Sequence, residues 1–116
     1  MSDARPTELA PQWRRGVLEL CVLKLLDDAA SYGYEIVTTL NSLGPLAAGE
    51  NTIYPLLRRL KADKHLETFT ADSPAGPPRQ YYRLTDLGRA RLTALAREWS
   101  DMVQAVDRCL QRGVAA

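Results

Sequence analysis

Between Glu50 and Lys64, apolar residues fall at Ile53, Leu56, Leu57 and Leu60, the i, i+3, i+4, i+7 spacing of an amphipathic helix. The opposite face carries Asn51, Thr52, Tyr54, Arg58, Arg59 and Lys61. Pro55 lies near the start of this helix, where a missing N–H costs little; deeper in, it kinks the helix, so an irregular start is expected. Upstream, from Gln12 to about Asp28, Trp13, Val17, Leu18, Leu20, Cys21, Val22, Leu23, Leu25 and Leu26 run nearly all the way round another helix. Such a helix is buried on more than one face, and in a chain this short the second face is expected to meet another subunit. Gly16 weakens a helix interior by about 0.5–1 kcal/mol relative to Ala and would permit a close helix contact there.

The remaining elements follow from the same patterning. Residues 1–11, with Pro6 and Pro11 among polar neighbours, read as a loose N-terminal arm. Ser31 suits the N-cap of a helix from Tyr32 to Leu43, with a stripe of Tyr34 or Ile36, Val37, Leu40 and Leu43. Gly44 to Gly49 is a Gly/Pro turn. Leu66–Thr70 and Arg79–Leu84 read as strands around a long, turn-rich loop, Ala71–Pro78. Thr85 caps a last helix that runs to about Arg112, with Asp86 favourable to its dipole and residues 113–116 as a frayed tail. Along it Leu92, Leu95, Trp99, Met102, Val106 and Cys109 alternate spacings of three and four, a heptad seam. A helix of that length extends about 39 Å, longer than the rest of the domain needs. Either a second copy covers the seam, or the helix folds back over the first one.

Composition narrows the function classes. The 116 residues suffice for one domain with a modest core, and 46% hydrophobic with 25% charged residues is ordinary for a soluble protein. No apolar run approaches a membrane span of roughly 18 residues, and Met1 to Pro6 has no signal-peptide core. No membrane partner and a cytoplasmic location are therefore expected. Cys21 and Cys109 lie far apart without CxxC spacing, and His65 is the only histidine, which argues against a zinc site. No metal or other cofactor is expected. The thiols read as small buried hydrophobes, with a redox pair as the alternative. No G-x-S-x-G or phosphate-loop spacing occurs, and no enzymatic activity is expected. The net charge is only +1, but between residues 50 and 91 the cations Arg58, Arg59, Lys61, Lys64, Arg79, Arg83, Arg89 and Arg91 outnumber the acids. The remainder is net negative.

Three helices followed by a hairpin is the order of a winged helix-turn-helix: mainly α with a small β-hairpin, here at residues 12–84, followed by a long C-terminal dimerisation helix at 85–112. In that arrangement the third helix enters the major groove of double-stranded DNA and the hairpin is the wing. The amide, hydroxyl and cationic groups of Asn51, Thr52, Tyr54, Arg58, Arg59 and Lys61 suit base edges and phosphates. Arg79 at the wing tip, with Tyr81 and Arg83 along the same strand, suits phosphate or an adjacent minor groove. Tyr32 and Tyr34 put phenols at a helix N-terminus, whose free N–H groups suit a phosphate; core packing of the rings is the alternative. The candidate dimer surface joins Trp13, Val17 and Cys21 to Leu92, Leu95, Trp99, Met102, Val106 and Cys109. A winged-helix module that binds protein instead of DNA is compatible with the near-neutral charge.

Two stretches carry a family resemblance: Asn51-Thr52-Ile53-Tyr54-Pro55-Leu56-Leu57-Arg58-Arg59-Leu60, and Gly76-Pro77-Pro78-Arg79-Gln80-Tyr81-Tyr82-Arg83-Leu84-Thr85-Asp86-Leu87-Gly88. Together they resemble the PadR family of transcriptional regulators. Leu18-Glu19-Leu20 through Tyr32-Gly33-Tyr34-Glu35-Ile36 is similar to that family's first two helices. The resemblance covers roughly Gln12 to Leu110, and the length resembles the short branch with a single C-terminal helix. It implies a homodimeric winged-helix regulator, usually a repressor, on a pseudo-palindromic operator. It assigns Asn51, Thr52, Tyr54, Arg58 and Lys61 to DNA, Arg79 to the wing contact, Gly33-Tyr34 to the second helix, and dimerisation to the first and last helices. Some family members bind aromatic or drug-like ligands between subunits, which implies a small aromatic effector at Trp99 with Met102 and Trp13 nearby. The alternatives are Trp99 as a seam anchor only, a regulator without a ligand, or redox sensing through Cys21 and Cys109. Asn51 and Lys64 stand where the family often has Gly. Asn tolerates left-handed backbone angles and adds an amide. Lys64 suits the helix dipole but not a left-handed turn, so the start of the wing is expected to differ.

Overall fold

The stripe at Ile53, Leu57 and Leu60 is fully buried in α3 (Glu50–Ala62), while Leu56 is half-buried. A computed structural model describes residues 6–115, with side chains from 13 to 112. The other elements are α1 (Pro6–Asp28), β1 (Ser31–Tyr32), α2 (Gly33–Asn41), a 3-10 turn at Gly44–Leu46, β2 (Leu66–Ser73), β3 (Gly76–Leu84) and α4 (Asp86–Ala115). Each main helix and the hairpin contribute to one core: Leu18, Val22, Leu23 and Leu26 from α1, Ile36, Val37 and Leu40 from α2, Leu66, Tyr82 and Leu84 from the hairpin, and Leu92 from α4. The fold is the expected one, mainly helical with a small antiparallel sheet.

Several boundaries differ from the sequence expectation. Helix α1 begins at Pro6, so residues 6–11 are helical rather than a loose arm. Pro6 occupies the first helical position, where its fixed φ is pre-organised and its missing N–H is no loss. The expected arm at residues 1–5 lies outside the described residues. At the other end α4 continues through Gly113 to Ala115, because a Gly weakens a helix without ending it; Ala116 lies outside the described residues. Ser31 does not cap α2. Ser31 and Tyr32 pair with Tyr82 and Tyr81 as a short strand, making a three-stranded sheet of order β1-β3-β2. The Ser31 hydroxyl donates to the Glu35 carboxylate. The hairpin is also longer than expected, pairing from Leu66↔Leu84 to Ser73↔Gly76 and leaving only Pro74 and Ala75 as the turn. Pro77 and Pro78 fit in β3 because β1 pairs only with Tyr81 and Tyr82, so the tip has a free edge. A register irregularity between Ala71 and Ser73 accommodates the rest. Pro55 lies inside α3, past its first turn, where it removes one backbone hydrogen bond.

The passage from α3 into the wing is a Schellman turn. His65 N–H donates to the Leu60 carbonyl at 2.9 Å and Lys64 N–H to that of Lys61 at 3.0 Å. Lys64 takes the left-handed conformation, with φ 65°, despite its side chain. The start of the wing therefore keeps the glycine-type turn, and lysine bears the strain of a crowded Cβ. Lys64→Gly is expected to stabilise the fold by about 0.5–1 kcal/mol, read as a higher midpoint in urea unfolding; an unchanged or lower midpoint would contradict this account of the turn.

Candidate nucleic-acid interface

Burying Ile53, Leu57 and Leu60 turns the other side of α3 outward, so Asn51, Thr52, Arg58 and Lys61 are all exposed. Arg58 and Lys61 have no carboxylate partner among the described residues, and neither does Arg79 on the wing. Tyr54 is more deeply set. Its ring lies on the first turn of α2 at Gly33, where a Cβ would overlap Tyr54 Cε1 and sit 2.9 Å from Cζ. Glycine at 33 thus fixes how closely α2 and α3 approach. Burial, with Glu50 and Tyr82 nearby, pushes the Tyr54 phenol above its ordinary pKa, so its hydroxyl stays a donor.

The wing is ordered by a row of rings and guanidinium groups on its outer face. Tyr32, Tyr81 and Phe69 are cross-strand partners on β1, β3 and β2. Tyr32 meets Tyr81 edge-to-face at 5.3 Å, and Phe69 stacks on Tyr81 at 5.5 Å. Arg79 lies 4.4 Å above the Tyr32 ring and Arg83 4.6 Å above Phe69. Tyr32, Gly33, Tyr34, Tyr54, Arg79, Gln80 and Tyr82 together line a crevice of about 420 Å³. It brings the start of α2, the recognition face of α3 and the wing to one place. Helix α2 begins there with no side-chain cap, leaving backbone N–H donors free at its mouth. An anionic backbone suits these donors, the Arg79 charge and the phenol hydroxyls.

Sequence comparison agrees with this geometry. The profile of the transcriptional regulator PadR-like family matches residues 22–94. The chain belongs to the PadR-like family of transcriptional regulators. A PadR-like transcriptional regulator from Bacillus cereus is 38% identical, with 86% of this chain and 97% of that one covered at a TM-score of 0.79. A PadR family regulator from Eggerthella lenta is 33% identical, with 90% of each chain covered at a TM-score of 0.80. An uncharacterised protein of Lysinibacillus sphaericus is 33% identical over 95 residues, 80% of this chain and 87% of its own. This PadR-like chain is therefore a DNA-binding regulator, and its family is one of regulators rather than enzymes. Among the described residues no helix is long and apolar enough to cross a membrane.

Within the PadR-like fold two of the expected DNA-facing cations are drawn elsewhere. Arg59 reaches Glu19 of α1 at 3.2 Å, and Arg91 of α4 binds the same carboxylate. Arg59 thus lies on the side of α3 that faces α1 and α4, one helical step round from Arg58. These two guanidinium groups outweigh burial and hold the Glu19 carboxyl below its usual range. Arg83 is paired with Glu67 at 2.8 Å. Tyr34 is exposed and Tyr81 half-buried, neither ring sealed in the core. Sequence reasoning missed Tyr82 and Gln80 in the crevice. It also missed Glu19, for which a lone carboxylate within the apolar run Val17–Leu26 was the available signal.

The heptad seam of α4 divides. Leu92 is buried in the chain's own core and is not free for a partner, while Leu95, half-buried, packs against that core. Arg89 bonds Asp27 and Arg91 bonds Glu19, which lays the first half of α4 along α1. Farther on, Trp99, Met102 and Val106 are exposed, as are Leu110 and, on α1, Trp13. Val17 and Cys21 are half-buried and Cys109 is exposed. Trp13, Arg14, Val17, Pro45, Leu46, Trp99 and Val106 line a largely apolar cavity of about 520 Å³. Met102 is not in it; with Glu19, Glu98 and Trp99 it borders a second groove of about 390 Å³. Trp99 and Val17 line both. Cys21 and Cys109 are both free thiols and line different cavities. Burial pushes the Cys21 thiol above its ordinary pKa, which disfavours the thiolate that redox chemistry needs.

Proposed function

We propose that this PadR-like regulator is a homodimeric repressor that binds a pseudo-palindromic operator and is released by a small aromatic effector. The observation that supports the DNA contact is that Arg58, Lys61 and Arg79, without a carboxylate partner among the described residues, lie around the outward face of α3 and the mouth of α2. Asn51 and Thr52 at the start of α3 offer amide and hydroxyl groups to base edges. Arg58, Lys61 and Tyr54 serve farther along the helix, and Arg79 with Tyr34 serves the flanking phosphates. Two copies related by a two-fold axis set two such helices into successive major grooves, so the operator mirrors the dimer. The effector reading is supported by the two grooves that share Trp99. One is apolar and walled by the Trp13 and Trp99 rings, suited to a planar aromatic; the other carries Glu98 on its rim, its Glu19 already held by Arg91.

A shift assay with a duplex of the protein's own promoter tests both parts. The wild-type protein is expected to bind with steep salt dependence. Arg58→Ala combined with Arg79→Ala should abolish the shift while leaving the assembly state unchanged; an unaltered shift would refute the assignment. Planar aromatic cations or phenolic acids added to the complex should free the duplex, and Trp99→Ala should remove that response. A complex indifferent to all of them identifies a regulator without a ligand.

A further inference from the structure

The exposed wing cation Arg79 has no carboxylate to hold it among the described residues, yet it lies over the Tyr32 ring at 4.4 Å. We propose that Tyr32 serves DNA binding through its ring, as a positioning residue that holds the Arg79 guanidinium at the mouth of α2, and not through its hydroxyl. The inference rests on Arg79 being a DNA-contacting cation.

Tyr32 is itself held from three sides. Its backbone pairs with Tyr81 in the sheet. Its ring meets Tyr81 edge-to-face, and Tyr81 stacks on Phe69 with only 20° between the planes. Its backbone, at φ −108° and ψ 162°, is the extended residue from which α2 starts. A side chain so fixed is a platform, whereas an arginine exposed on a strand of the wing otherwise samples many rotamers and loses that freedom on binding. A guanidinium stacked on a ring is already ordered and keeps its N–H donors free at the edge.

The two ends of the aromatic row differ in a way that supports this role. At one end Arg83 covers Phe69, and its charge is met by Glu67 at 2.8 Å. At the other end Arg79 covers Tyr32 and its charge meets no carboxylate among the described residues. Both cations close the row, but only one is left to bind an anion. Because Tyr32 immediately precedes Gly33, the residue that seats Arg79 also places the first free N–H groups of α2. Wing cation and helix terminus are thereby kept at a fixed separation, matched to one backbone segment instead of two independent contacts. The Tyr32 hydroxyl makes no hydrogen bond among the described residues and plays no part in this arrangement.

A double-mutant cycle on the full chain tests the proposal, with affinity for the promoter duplex at fixed salt as the readout. Tyr32→Phe keeps the ring and should bind within about two-fold of wild type, while Tyr32→Leu should weaken binding roughly five-fold. In an Arg79→Ala background Tyr32→Leu should cost nothing further. Equal losses for Phe and Leu would assign the effect to the hydroxyl, and additive losses would separate Tyr32 from Arg79; either overturns the proposal. NMR of the free protein reports the stack without DNA. The Arg79 δ protons should be shifted upfield by the ring in wild type and Tyr32→Phe, and return to ordinary positions in Tyr32→Leu. Unshifted δ protons in wild type refute the stack. A normal stack in a protein that binds no duplex refutes the DNA reading, and the proposal with it.

Discussion

Gly88→Ala is expected to destabilise the fold by about 2–3 kcal/mol, lowering the melting temperature by roughly 10 °C. The first turn of α4 rests on the backbone at the end of α3. A Cβ at position 88 would overlap the His65 carbonyl oxygen and lie 2.8 Å from Leu84 Cδ1. That carbonyl is not free to withdraw. It accepts the Thr85 N–H at 3.1 Å, and the Thr85 hydroxyl oxygen lies 3.1 Å from it. The same hydroxyl lies 2.7 Å from the Lys64 carbonyl and accepts the Gly88 N–H at 3.0 Å, as the N-cap of α4. One methyl group therefore presses on a knot that joins α3, the wing and α4. Gly76, where a Cβ meets nothing within 4 Å, is the control: Gly76→Ala should leave the melting temperature nearly unchanged. Equal melting temperatures for the two variants would show that the junction yields, contrary to this account.

The junction also illustrates where sequence patterning succeeds and where it stops. The buried stripe of α3 was legible because Ile53, Leu57 and Leu60 follow the helical period. Its outward face followed as the complement. Nothing local distinguishes Arg58 from Arg59, however. The choice is made by one helical step of rotation and by Glu19, which lies 40 residues upstream. Strand β1 was illegible for a similar reason, since two residues become a strand only through their partners Tyr81 and Tyr82. The loop expected at Ala71–Pro78 followed from its Pro and Gly content, and that rule fails where a strand has an open edge. Lys64 shows the reverse: hydrogen bonds from His65 and Lys64 itself outweigh an unfavourable residue type.

The heptad of α4 was legible as a seam, but a seam does not name its partner. Leu92 and Leu95 are used by the chain's own core because Asp27 and Glu19 draw Arg89 and Arg91 onto α1. The ion pairs themselves are partly exposed, and their worth is mainly orientation. Beyond them α4 carries a row of apolar side chains that its own domain does not cover. That division sets which residues can be altered to test association without disturbing the fold.

Met102→Glu combined with Leu110→Glu is therefore expected to give a folded monomer whose operator affinity is at least about 100-fold weaker than wild type. Met102 is 59% exposed and Leu110 66% exposed. With Trp99 and Val106 they form a helical stripe of apolar surface, the kind that marks an association face. Glutamate is a good helix former, so α4 should persist. In the proposed homodimer, two like charges per chain would face two more across the two-fold axis and could not be desolvated at low cost. The fold should survive, because neither side chain belongs to the core of Leu18, Ile36, Leu57 and Leu92. DNA binding should suffer because each α3 then meets its half-site alone, and the intramolecular advantage of the second contact is lost. Light scattering gives the assembly state, circular dichroism the fold, and titration of the promoter duplex the affinity. A variant that remains dimeric would place the interface elsewhere. A folded monomer with undiminished affinity would show that one copy suffices, and the two-fold operator would have to be abandoned.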